Sequence, residues 1–332
     1  MRCCEPLRGH TCTVPLRVLL DTNIWAYVER DNAAADLRAI ARYANLEILV
    51  SPAVVFEQLR FENRDLRKRQ LDITTRGWWK RLMPEAYVEC DELVAALRRH
   101  RPGWIQQTSS SSSLRTYHRN RADWQDRFWT RARRAPDAQA GYNDDLGGFR
   151  IDLGRLDVDR KRTFSRENKV TLDTVSLTDP TQIDCDVDVG TGKRVRTQFW
   201  RVGAANHFAF ELREGRANRR TYRDWLDPFL DYHRLSDGEA WLSFWMEVEP
   251  SEVPTQWLYW AAGVLAPLVR VNDGTLFDMQ LAAYLSVADV LVTADKNFDR
   301  IACAVANAAP FPVARALRTT PACWAADLAS LA

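Results

Sequence analysis

The pattern of apolar and polar positions divides the chain into two ordered ends and a different middle. Val14 to Leu20 is a short, mostly apolar run ending in Asp21-Thr22-Asn23, the pattern of a buried strand feeding a helix. Thr22 or Asn23 can cap that helix, and Ile24, Trp25, Tyr27 and Val28 supply its apolar side. A second helical stretch covers Ala33 to Ala44, and Leu46 to Val50 is another apolar run. Ser51-Pro52 then opens a helix expected to continue to about Arg69, with proline at a favoured first-turn position. Strand, helix, strand, helix is the rhythm of a parallel α/β sheet.

The same rhythm returns at the other end. Trp257 to Val269 and Phe277 to Val287 read as helices, and Val290 to Thr293 as a short buried strand. Asn297 to Asn307 reads as a helix, Phe311 to Ala314 as an edge strand and Pro321 to Leu331 as a last helix. Between these ends the texture changes. Five serines, Ser109 to Ser113, sit in a stretch read as a flexible loop from Gln107 to Leu114. Leu114 to Arg134 reads as a helix dense in arginine and tryptophan, and Asn143 to Arg150 as a turn region. Thr171 to Glu211 suggests a small antiparallel hairpin turning at Gly190-Thr191-Gly192, and Arg219 to Trp245 returns to helix. The economical arrangement is one α/β domain (residues 14–70 and 251–332) interrupted by a mostly helical insertion (residues 71–250), with residues 1–13 a disordered leader.

Composition adds limits. Of 332 residues, 46% are apolar and 27% charged, the balance of a globular chain that can bury a core. No run approaches the ~20 apolar residues of a membrane helix, and the first fifteen residues lack a secretory core. The expected location is cytoplasmic, with no membrane partner. Seven scattered cysteines suggest no disulfide framework, and Cys3, Cys4, His10 and Cys12 fit no standard zinc spacing. A net charge of +2 is not that of a polycation, so any binding of nucleic acid has to come from local patches.

Four acids stand out. Asp21 and Asp295 each follow an apolar strand, and in an open α/β sheet ligands gather at the carboxyl ends of strands. Taken alone, Asp21 reads better as a helix cap. Glu57 lies on a largely apolar stretch of helix, where an acid is costly unless it is paired or metal-bound; a salt bridge to Arg60 or Arg64 is the plain alternative. Asp278 opens a helix, where the dipole favours an acid regardless of function. Two strands each ending in an aspartate are the least accidental feature.

Leu20-Asp21-Thr22-Asn23, Val50-Ser51-Pro52 leading to Glu57, Asp278 with Leu281-Ala282-Ala283, and Leu291-Val292-Thr293-Ala294-Asp295-Lys296-Asn297-Phe298 resemble the successive motifs of PIN-domain nucleases. The resemblance covers residues 14–69 and 251–316, and the long insertion departs from a family whose members are compact. It implies a PIN-like three-layer sandwich with a mainly parallel sheet. It implies that Asp21, Glu57, Asp278 and Asp295 converge on one or two Mg²⁺ or Mn²⁺ ions to hydrolyse a phosphodiester. Thr22, Asn23 and Thr293 would orient the ligands. Asp273 is a further candidate ligand, although the Asn272-Asp273-Gly274 turn accounts for it better.

The expected substrate is RNA, as for a toxin, RNA-processing or defence enzyme, with an antitoxin or a second copy as possible protein partners. A DNA or structure-specific nuclease and an inactive RNA- or protein-binding scaffold are the alternatives. Arg64, Arg67 and Lys68 in one basic patch, and Arg119, Arg127 and Arg131 in another, are the candidate nucleic-acid contacts, interleaved with Trp78, Trp79, Trp124, Phe128 and Trp129. Both patches read slightly better as amphipathic helices with tryptophans in the core. No Gly-rich phosphate loop competes with this reading.

Overall fold

A computed structural model describes residues 14–139, 162–163, 166–167, 170–188, 194–212, 220–235, 237–269 and 274–331. The leader, the Asn143–Arg150 turn region, the Gly190–Gly192 turn and Asp273 lie outside the described residues.

The chain opens as β1 (Leu16–Leu20), α1 (Thr22–Arg30), α2 (Ala34–Tyr43), β2 (Leu46–Val50), α3 (Pro52–Leu59), α4 (Arg64–Thr74) and β3 (Lys80–Arg81). Then follow α5 (Glu85–His100), α6 (Ser111–Ala122), α7 (Phe128–Arg134), the hairpin strands β4 (Asp184–Asp188) and β5 (Arg194–Gln198), α8 (Phe199–Glu211), α9 (Arg220–Leu226) and α10 (Gly238–Glu247). The chain closes as α11 (Pro254–Leu265), α12 (Thr275–Ala282), β6 (Val290–Thr293), α13 (Lys296–Ala308), β7 (Arg315–Arg318) and α14 (Trp324–Ala329).

Five strands form one sheet in the order β3-β2-β1-β6-β7, and every pairing in it is parallel. The fold is α/β. The middle strands β1, β2 and β6 are almost wholly buried, as their continuous apolar runs require when helices cover a parallel sheet. From β1 the chain steps through β2 to β3 on one side. After the insertion it enters β6 on the other side of β1 and steps outward to β7. The direction of winding therefore reverses between β1 and β6, and the carboxyl ends of those two strands frame the crevice where such sheets bind ligands.

Several elements depart from their expected bounds for local reasons. The helix expected from Ser51 to Arg69 breaks after Leu59, because Asn63 caps a new helix by accepting from Leu66 N at 3.0 Å. Arg67 is turned inward at that break. Its Nη1 donates to the carbonyls of Leu59 (3.4 Å) and Phe61 (3.0 Å), which the end of α3 leaves unpaired, and Nη2 pairs with Asp137. The edge strand lies at Arg315–Arg318 rather than Phe311–Ala314, since Pro310 and Pro312 have no N–H to give a ladder. The serine run is no loop: Ser110 accepts from Ser113 N at 3.1 Å and starts α6 at Ser111. The helix expected from Phe277 to Val287 ends at Ala282.

The insertion is tied into the sheet domain. The expected boundary at residue 70 falls inside α4, and β3 lies beyond it yet joins the sheet. Tyr284 donates to Met83 O at 3.0 Å, and Glu92 of α5 accepts from Thr255 N (3.1 Å) and Thr255 Oγ1 (2.7 Å). Glu92 thereby caps α11 from a distant helix, at an end where Val253 offers no side-chain cap. One apolar core runs through both parts and includes Trp129, Trp200, Trp225 and Trp245. Among the described residues no helix is long and apolar enough to cross a membrane.

Candidate active site

The crevice between β1 and β6 carries the acids. Asp21 is the first residue after β1 and only 2% exposed. Its backbone N–H donates to Val292 O at 3.0 Å, which ties the end of β1 to β6. Its Oδ1 accepts from Thr22 N at 2.6 Å, so it is the N-cap of α1. Its Oδ2 accepts from Thr293 Oγ1 at 2.7 Å and from Asn23 Nδ2 at 3.1 Å. Asp295 does the same work after β6: its Oδ1 accepts from Asn297 N (2.6 Å) and Phe298 N (3.1 Å), capping α13. Asp295 N also donates to Thr293 Oγ1 at 3.0 Å. Thr293 thus links the two strand ends, receiving from one aspartate and donating to the other. Capping and site formation are the same geometry here, because a helix N-terminus at a strand's carboxyl end points its free N–H groups into the crevice.

Glu57 reaches the crevice from α3. Ser51 caps that helix, accepting from Val54 N at 3.4 Å, and the apolar residues around Glu57 hold its face against the protein. Its Oε2 accepts from Thr22 Oγ1 at 2.5 Å. Thr22 therefore holds two acids at once, one through its backbone N–H and one through its hydroxyl. The salt bridge considered for Glu57 is not formed. The Arg60 guanidinium lies over the Phe277 ring, 5.6 Å from its centroid, and favours Glu57 ionisation from there.

Asp278, in the first turn of α12, completes the group. Among the described residues no donor reaches its side chain. Its carboxyl is driven well above the usual carboxylate range, first by burial and then by the charges of Asp21, Asp295 and Glu57. That one residue feels the other three is the electrostatic signature of a shared locus. Burial also raises Asp21, against the hydrogen bonds from Thr293, Asn23 and Thr22, and the charge of Asp295 adds to the rise. Burial pushes Glu57 up to about 7, opposed by the Thr22 hydroxyl and increased by the charge of Asp21.

The structure brings together the four acids and the three polar residues named from the sequence. The donor set suits a hard divalent cation, since it consists of carboxylate oxygens alone, and such ions prefer oxygen. Against this, among the described residues no three Asp, Glu, His or Cys side chains stand in a metal-holding arrangement. Thr22, Thr293 and the α13 N–H groups each hold an oxygen of Glu57, Asp21 or Asp295. Among the described residues, Asp278 is the one of the four with no hydrogen-bond donor on either oxygen.

The candidate nucleic-acid contacts divide. Arg67 is buried and its Nη donors go to the Leu59 and Phe61 carbonyls and to Asp137, which turns its charged end away from solvent. Arg131 is held by Asp123 through two bonds, 2.6 and 2.7 Å. Arg64 is exposed, 4.0 Å from Asp137, and Lys68, Arg119 and Arg127 are exposed. The aromatics beside them are core: Phe128 and Trp129 are fully buried, and Trp124 packs on Phe56. Trp78 alone among the named aromatics keeps a large exposed face, at 41%.

Sequence reasoning gave no role to Phe277, whose ring positions Arg60, because an apolar residue beside an acid carries no signal of its own. No family model, curated protein or solved structure matches the chain.

Proposed function

We propose that this chain is a metal-dependent endonuclease of PIN-like architecture that hydrolyses phosphodiester bonds, with RNA as substrate. The observation that carries the proposal is that Asp21 and Asp295 end the two strands at the switch point of a parallel sheet, tied together through Thr293, while Thr22 ties Asp21 to Glu57. Buried carboxylates crowded in this way raise one another's proton affinity, and an arrangement so costly is a mark of functional sites. Asp21, Glu57 and Asp278 would hold Mg²⁺ or Mn²⁺, with Asp295 at the rim. When bound, the ion supplies the counter-charge and the Lewis acidity that phosphodiester hydrolysis needs.

The protein's own groups do the positioning. Thr293 and Asn23 fix the Asp21 carboxylate, and Thr22 sets the distance between Asp21 and Glu57. Asp278 keeps its oxygens free of protein donors. Arg60, braced on Phe277, offers a cation at the edge of the site where a phosphate oxygen would sit.

The test is cleavage of end-labelled RNA and DNA in Mn²⁺, with and without EDTA, by wild type and Asp21→Asn. RNA cleavage that needs the metal and is lost in Asp21→Asn supports the proposal. Retained cleavage in Asp21→Asn removes this site from consideration, and DNA cut in preference to RNA reassigns the substrate. A second reading, a catalytically inactive scaffold that binds RNA or a protein, is favoured by the absence of a metal-holding arrangement among the described residues. Failure of wild type to cleave either polymer would select it.

A further inference from the structure

At the opposite edge of the sheet, the amino ends of β2 and β3 and the last turns of α2 enclose a groove of about 690 Å³. Arg38, Arg42 and Lys80 line it, with Glu47 as the one carboxylate and Trp78 along one wall. The side chains of Arg38, Arg42 and Lys80 make no hydrogen bond or ion pair among the described residues. The Arg38 guanidinium lies over the Trp78 ring at 4.5 Å from its centroid. On the same ring Arg76 sits at 4.8 Å, but Asp72 neutralises it at 2.8 Å. Trp78 therefore orders the Arg38 fork while leaving its N–H groups free. Tyr43, next to Arg42, is 82% exposed.

We propose that this groove is a second binding site, for the phosphate backbone of single-stranded nucleic acid, separate from the acidic crevice. Unpaired cations ordered beside one part-exposed tryptophan fit a polymer with both phosphates and bases, where an acidic peptide would use the charges alone. β1 and β2 each run five residues from one edge to the other, so the groove lies about 16 Å from the acids along the strands. A single strand held here cannot have the same nucleotide in the crevice; the groove holds a flanking segment. The proposal rests on the nuclease reading only for that last statement, and binding is tested without cleavage.

The experiment measures the affinity of fluorescein-labelled oligouridylate by anisotropy in EDTA across a salt series. It compares wild type, the triple variant Arg38→Gln/Arg42→Gln/Lys80→Gln, the double variant Arg38→Lys/Arg42→Lys and Trp78→Ala, each checked for an unchanged melting temperature. The triple variant should bind at least ten-fold more weakly. Its log–log salt slope should fall by about two, from three lost single-strand phosphate contacts. The double variant keeps the charges and should keep the wild-type slope, whereas Trp78→Ala should weaken binding several-fold at an unchanged slope. Unaltered affinity and slope in the triple variant would overturn the proposal. So would polyglutamate competing as well as unlabelled oligouridylate at equal charge. Because cleavage plays no part in the readout, a chain that binds here but cuts nothing would sink the nuclease reading and leave this one standing.

Discussion

Glu92 offers a direct measurement of what buried acids cost this fold. It sits on α5, accepts two hydrogen bonds from Thr255, and burial pushes its carboxyl from 4.5 up to about 8, with Glu89 and Asp91 adding to the rise. A raised carboxyl pKa means that the folded chain keeps a proton that the unfolded chain has released. Folding therefore takes up one proton between pH 4.5 and about 8, so stability falls by about 1.4 kcal/mol per pH unit as pH rises through that window. Above it the cost is constant, and below it the cost is absent. The full shift corresponds to at most about 5 kcal/mol, and the partly exposed edge of the side chain brings that figure down. Glu92→Gln removes the charge and keeps both contacts: the amide oxygen accepts from Thr255 N and the amide nitrogen donates to Thr255 Oγ1. Urea unfolding followed by tryptophan fluorescence, in EDTA, should find the variant within about 1 kcal/mol of wild type at pH 5. At pH 9 it should be more stable by about 2–4 kcal/mol. A variant less stable by the same amount at both pH values would refute the reasoning, since a lost cap does not depend on pH.

Asp278→Asn should abolish metal-dependent cleavage and yet raise the melting temperature in EDTA at pH 8. It removes a carboxyl that burial and three neighbouring acids destabilise, and a lower melting temperature would show that Asp278 holds a structural contact instead. Thr22→Val deletes the hydroxyl that binds Glu57 and should reduce activity by about 10–100-fold with little change in stability; full activity would remove Thr22 from the site. Arg67→Met leaves the Leu59 and Phe61 carbonyls unpaired and should cost about 1–3 kcal/mol in chemical denaturation, while the salt slope of RNA binding stays at its wild-type value. A shallower slope would return Arg67 to the phosphate contacts.

How far the chain can be read unfolded depends on how local the cause of each feature is. The strands β1, β2 and β6 and the positions of Asp21 and Asp295 after two of them are legible residue by residue. Apolar runs bounded by capping residues report burial and helix starts within a few positions. Ser51-Pro52 marks α3 just as directly. The break before Asn63 was present as a local signal too, since asparagine is a strong N-cap, but the helix-forming residues on either side hid it.

What folding alone decided involves partners far apart in sequence. Whether Asp278 meets Asp21 depends on a path of more than half the chain, and no periodicity encodes that meeting. The two-residue β3 has no pattern of its own and exists because β2 offers it an edge. Arginine-rich stretches look alike until packing sorts them: Arg67 turns inward to unpaired carbonyls, Arg131 is claimed by Asp123, and Arg38 and Arg42 are left facing a groove. Charge is a property of one residue, but availability is a property of its neighbours, and the neighbours are chosen only when the chain closes on itself.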